Sequence, residues 1–159
     1  MCKIVKFSVV IIRLNSTFKR LKIIMKYAMG QNFNKIKDFL LELEYSIVSE
    51  DINEELFVVE KLEAGIVNMI IDCEEPILVF EQFLFEMNED SLDVFKELLM
   101  KNREIVHGAF ALDESGKKVI FRDTLQIDNI DINEFQGTLN SFEMLMAEYS
   151  DKLIEFSKL

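Results

Sequence analysis

One histidine, two cysteines and 29 carboxylates are the groups in this 159-residue chain that could carry reaction chemistry. A nucleophilic triad needs a base beside a hydroxyl or thiol. His107 is the only histidine, and it sits beside Gly108 with no Gly-x-Ser-x-Gly in the chain and no cysteine near it in sequence. It reads as a structural or partly exposed residue. Cys2 and Cys73 with a single histidine make no metal-ligand spacing. Asp72, Glu74 and Glu75 could supply oxygen ligands, as could Asp128, Asp131 and Glu134. The first set more simply decorates a strand end and turn. The second is accounted for by helix capping and lacks the Gly-centred turn of a calcium loop. A Gly-rich phosphate loop is missing, and with so many acids a carboxylate pair for glycoside chemistry would be unspecific. These residues point to no enzyme, no cofactor and no metal. One pair stands out, Arg122-Asp123 in an otherwise apolar strand, where Arg122 would meet a carboxylate or a row of carbonyls. Pairing at the surface is the simpler account.

The elements that position these residues follow from hydrophobic period. Phe33, Ile36, Leu40 and Leu43 are spaced for a helix that Asn32 could cap. The period then shortens. Tyr45–Val48, Leu56–Leu62 and Ile66–Cys73 read as strands, the last two around a turn in which Gly65 can take a positive φ. Pro76 opens a strand from Ile77 to Met87, where its missing N–H is tolerated. Asp90 or Ser91 caps a second helix, with Leu92, Phe95, Leu98 and Leu99 inward. Val106–Leu112 and Lys118–Leu125 form a hairpin about the Asp113–Gly116 loop, and Val119, Phe121 and Leu125 share a face that Asp123 interrupts. A third helix, Ile132 to Phe156, carries one apolar stripe from Phe135 through Phe142 and Leu145 to Leu153. Asp131 caps it, Glu134 completes a capping box, and Ile130 with Phe135 forms a staple. The fold class is α+β: an antiparallel sheet of five to six strands with three helices, ordered helix, three or four strands, helix, two strands, helix.

The chain is long enough for one domain with its own core. Its formal charge of -11 is unevenly distributed. Residues 1–28 hold seven Lys/Arg and no acid, while residues 29–159 hold the other eleven against all 29 acids. An acidic body repels nucleic-acid backbones and anionic headgroups, so the partners it suits are basic or apolar polypeptides. Two cysteines make no disulfide framework, which fits a reducing, cytoplasmic compartment. The apolar run Ile4–Ile12 is too short to span a membrane, and no small-x-small site closes it as a signal peptide. Residues 1–28 read first as an extension from an early start, with Met25 or Met29 as the working start. An extra docked element and a targeting segment are the other readings. The domain proper is residues 29–159.

Four phrases carry a resemblance: Asn68-Met69-Ile70-Ile71-Asp72-Cys73-Glu74-Glu75-Pro76, Arg103-Glu104-Ile105-Val106-His107-Gly108-Ala109-Phe110-Ala111-Leu112, Val119-Ile120-Phe121-Arg122-Asp123-Thr124-Leu125-Gln126 and Ala147-Glu148-Tyr149-Ser150-Asp151-Lys152-Leu153-Ile154. With the order of elements they resemble the YbjN-like and type III secretion chaperone-like family of bacterial proteins, often labelled molecular chaperone Tir. The likeness covers about residues 31–158. It implies a curved antiparallel sheet with helices packed on it, often a homodimer, and binding of a partner polypeptide without catalysis. A YbjN-type regulatory or stress-response module acting through protein contacts is the alternative it leaves.

The strand Ile77–Met87 suggests where partners meet. A strand buried on one face should alternate apolar and polar, and this one barely does. Three helices cover one face of such a sheet but hardly both, so surplus apolar surface should meet another chain. First comes a second copy in a symmetric dimer, which would also protect the sheet edge, and otherwise a client segment. The expected surface is Val79, Glu81, Phe83, Phe85 and Met87. A central strand covered on both sides within the monomer is the competing expectation.

Overall fold

A computed structural model of the chain describes residues 30–159. The expectations for residues 1–28, Cys2 and the starts Met25 and Met29 lie outside the described residues. Helix α1 occupies residues 30–42, with Phe33, Ile36 and Leu40 buried along one side. Asn32 does not cap it, because helical backbone is already present at residue 30. Its side-chain amide instead donates to Glu75 Oε1 at 2.7 Å. At the other end the Tyr45 N–H donates to the Leu40 carbonyl (2.9 Å) and the Glu44 N–H to the Leu41 carbonyl (3.2 Å). This doubly bonded stop requires a left-handed residue, and Glu44 supplies it with φ 61°.

Strands β1 (Ser46–Asp51), β2 (Leu56–Lys61), β3 (Ile66–Asp72) and β4 (Ile77–Glu86) follow as an antiparallel meander. Helix α2 (Leu92–Lys101), strands β5 (Ala109–Leu112) and β6 (Lys118–Gln126) and helix α3 (Ile132–Phe156) complete the chain. The six strands lie in the order β1-β2-β3-β4-β6-β5, so β1 and β5 are the sheet edges. The expected α+β class and order of elements are present. β1 runs past the expected Val48, because its register shifts between Ile47 and Ser49 and the ladder then resumes.

α3 is the element the core is built on. Its Phe135 ring meets Phe80 of β4 and Phe39 of α1, and its Phe142 ring meets Phe121 of β6 at 4.8 Å. Phe33 of α1 stacks on Phe57 of β2 at 4.2 Å. α1 and α3 therefore share one face of the sheet. Asp131 caps α3 as expected, accepting from the Asn133 and Glu134 N–H groups. Asp123, the acid that interrupts the core-facing side of β6, accepts from the Thr138 hydroxyl at 2.8 Å, so its polarity is satisfied from the helix above it.

Three expectations are corrected. In α2 the buried residues are Val94 and Leu98, with Phe95 partly covered, while Leu92 and Leu99 are exposed. The helix lies at the β5 end of the sheet, tied to α3 by Lys101–Glu148 and Lys152–Glu97 pairs, and only part of its circumference is covered. The β5 hairpin starts at Ala109, with Val106 fully outside it. Gly108 has φ 78° and lies so close under the Phe121 ring that a Cβ would overlap it, so the chain turns sharply before the ladder starts. Finally, β4 does not keep one parity. Phe83 pairs with Ile120 and Phe85 with the adjacent Val119, leaving Leu84 as an extra residue in a β-bulge. Leu78, Phe80 and Gln82 face the helices before the bulge, and Phe85 and Met87 face them after it.

Gln82 explains how a polar residue fits that inner face. The β3–β4 ladder covers only Ile70–Asp72 against Val79–Glu81. Beyond it the buried Gln82 carboxamide accepts from the Val67 N–H (3.0 Å) and donates to the Gly65 carbonyl (3.1 Å). One side chain thus replaces two ladder bonds where the strands part.

Candidate protein-binding surfaces

The residues that could carry chemistry are held apart. His107 is fixed through its backbone, its N–H donating to Ser141 Oγ and its carbonyl accepting from that hydroxyl, both at 3.2 Å. The ring nitrogen Nε2 lies against Gly137 of α3. Cys73 is buried, and burial, with the charges of Glu55, Asp72 and Glu75 behind it, pushes its thiol up to about 12. At neutral pH it is a protonated apolar filler and a poor nucleophile. Among the described residues, no three His, Cys, Asp or Glu side chains are grouped to hold a metal ion.

What the fold does assemble is surface. With the helices on one side, the β registers map the other side residue by residue. One row runs across all six strands: Ser49, Val58, Ile70, Glu81, Arg122 and Ala109. The row beside it is Asp51, Leu56, Asp72, Val79 and Thr124. On the far side Phe83, Ile120 and Ala111 make a third. Phe83 is 54% exposed although it belongs to a central strand, and Ile70 is 41% exposed. Arg122 is paired with Glu81 of the neighbouring strand, as its setting in the sequence suggested.

The five residues expected on the partner surface divide accordingly. Phe83 and Glu81 lie on the open face. Val79 shares that face but is buried among its neighbours and is not part of the helix-side core. Phe85 and Met87 are in that core, because the bulge at Leu84 reverses the alternation. Strict two-residue alternation across an eleven-residue run could not reveal the reversal. The hint lay in the run itself, where Phe83-Leu84-Phe85 breaks any single pattern.

A second apolar surface lies at the β5 edge of the sheet. Phe95, Leu98 and Leu99 of α2 face Phe110, Ala111 and Leu112 of the edge strand β5 across a groove of about 430 Å³. Leu99 is 67% exposed and Leu112 43%. Its signal in the sequence is an apolar arc on α2 wider than one neighbouring element requires.

The family model CesT_Tir_1 matches residues 29–159. None of the curated proteins matches the chain. Among solved structures, a chain of the HopA1–SchA chaperone–effector complex superposes with a TM-score of 0.56 at 12% identity, covering 76% of this chain and 96% of that one. YbjN of E. coli gives 0.58 at 13% identity, covering 76% and 92%. A chain from the Yersinia pestis type III secretion chaperone SycH in complex with a fragment of YscM2 gives 0.50 at 15% identity, covering 81% and 99%. At such identities these likenesses concern the fold. No helix among the described residues is long and apolar enough to cross a membrane.

Proposed function

The chain belongs to the CesT_Tir_1 family, and from that premise we propose that it is a non-catalytic, chaperone-like protein-binding module. It binds a partner polypeptide through the open apolar face of its sheet and works as a homodimer. The observation that carries the reading is the placement of Phe83, exposed in a central strand near Ile70 and Ile120, on the face opposite the helices of the described residues. A helix or strand of another chain is what such a face accommodates. The HopA1–SchA and SycH–YscM2 structures, both of them complexes, support the same role. The α2–β5 groove is the better seat for the second copy. It is apolar and borders the edge strand β5, where a two-fold related copy would cover the exposed Leu99 and Leu112. This activity needs no cofactor, metal or nucleic acid.

Capture from the native cell on the immobilised full chain tests the role. The expected result is one abundant polypeptide retained by the parent and released by Phe83→Ser. Retention of a regulator or of several unrelated proteins would favour a YbjN-type regulatory module, the alternative that the likeness to YbjN supports. Turnover of a small molecule by the purified chain would overturn both.

A further inference from the structure

The open face has a charge pattern as well as an apolar one. Val58, Ile70, Phe83 and Ile120 form a band running obliquely over β2, β3, β4 and β6. The cations on this face are already opposite carboxylates: Arg122 is paired with Glu81, and Lys118 stands across from Glu86. Asp51 and Asp72 lie in the row along one side of the band, and Glu60 lies at its β2 end. None of these three has an ion-pair partner among the described residues. Asp72 is half-buried between Leu56 and Val79, so its charge is poorly hydrated, and no cation among the described residues forms an ion pair with it.

We infer that the occupant of this face is an amphipathic polypeptide segment with an apolar stripe and a basic flank, and that Asp72 selects it by pairing with a Lys or Arg of that flank. The inference rests on the protein-binding reading and adds the chemistry of the partner. A second copy is a poor occupant, since face-to-face packing at about 10 Å would set two unneutralised acidic rows against each other. An acidic or uncharged apolar segment would leave Asp72 without a partner while removing more of its water, which costs binding energy. Burial and the nearby charges of Glu74 and Glu54 already raise the Asp72 pKa, with Arg122 opposing, which agrees with a site that gains from an incoming cation.

The test uses the full chain and two labelled helical peptides of about 18 residues, long enough to span the strands. They share one Leu stripe and differ in carrying Lys or Glu on the flank. The expected result is that the Lys peptide binds, loosens with added salt, and weakens about tenfold or more on Asp72→Asn and on Phe83→Ser. Leu41→Ser, at an exposed position of α1 on the other side of the sheet, should leave its binding unchanged. Equal binding of both peptides, or no effect of Asp72→Asn, overturns the proposed selectivity. Tighter binding after the seven Lys/Arg of residues 1–28 are changed to Gln would show that the chain's own terminus takes the face, and overturns the partner assignment. So would a dimer that Phe83→Ser dissociates. If a native polypeptide is captured and neither Asp72→Asn nor Phe83→Ser loosens it, the protein-binding role stands and this site falls.

Discussion

Two residues show how single side chains set local energetics. Gln82 holds the Val67 N–H and the Gly65 carbonyl in place of a ladder. Gln82→Leu keeps most of the volume and leaves both groups without their partner, which should cost about 1–3 kcal/mol in chemical denaturation. Hydrogen exchange at the Val67 amide should accelerate with it; unchanged exchange would mean that the side chain is not its partner in solution. Asp72 acts in the opposite sense. Its raised pKa means that the folded chain holds this proton more tightly than the unfolded chain does. The stability it contributes is therefore present below the ordinary carboxylate range, about 4, and is lost as the pH rises through its folded value. Asp72→Asn should raise the thermal midpoint at pH 7, and the gain should vanish as the pH approaches 4. A midpoint lowered at pH 7 would show that the carboxylate has a stabilising partner.

At the scale of elements, β4 is divided by its bulge, and its phenylalanines report the division. Phe85 is in the core against Phe156, so Phe85→Ala should cost about 3–5 kcal/mol. Phe83→Ser, two positions away, should stay within about 0.5 kcal/mol of the parent, as surface changes do. A strand with unbroken alternation would put both on one face, and near-equal losses would refute the bulge. The stop of α1 yields another expectation. Glu44 occupies a left-handed position that disfavours a Cβ, and its side chain is exposed. Glu44→Gly should stabilise the fold by about 0.5–1 kcal/mol, because relief of strain exceeds the added freedom of the unfolded chain. A loss of stability would mean that the Glu44 side chain contributes more than its backbone strain costs.

For the whole molecule, two apolar surfaces lie on different sides of one domain. On the proposed reading, the sheet face opposite the described helices takes a partner segment, and the α2–β5 groove takes a second copy. Light scattering at micromolar concentration should report close to twice the chain mass. Leu99→Asp would place a charge in the groove and should return a folded monomer whose melting midpoint no longer rises with protein concentration, since Leu99 contributes little to the core. A dimer that persists in Leu99→Asp would locate the contact elsewhere.

Local chemistry was enough for much of this fold. The α3 stripe, its Asp131 cap and the order of elements all depend on nearest-neighbour periodicity or on one residue's polarity, and both can be read along the chain. The acid in β6 could be recognised as an anomaly. That Thr138 satisfies it depends on a helix fifteen residues further on. The partner surface was legible only in part. A bulge changes the side on which every later residue falls, and it arises from the pairing of β4 with β6, two strands separated by α2 and β5. The same reason hid the α2–β5 groove: whether Leu99 faces a core or water depends on which element lies beside it. Periodicity tells which residues share a face. Only the tertiary packing decides what, if anything, covers that face.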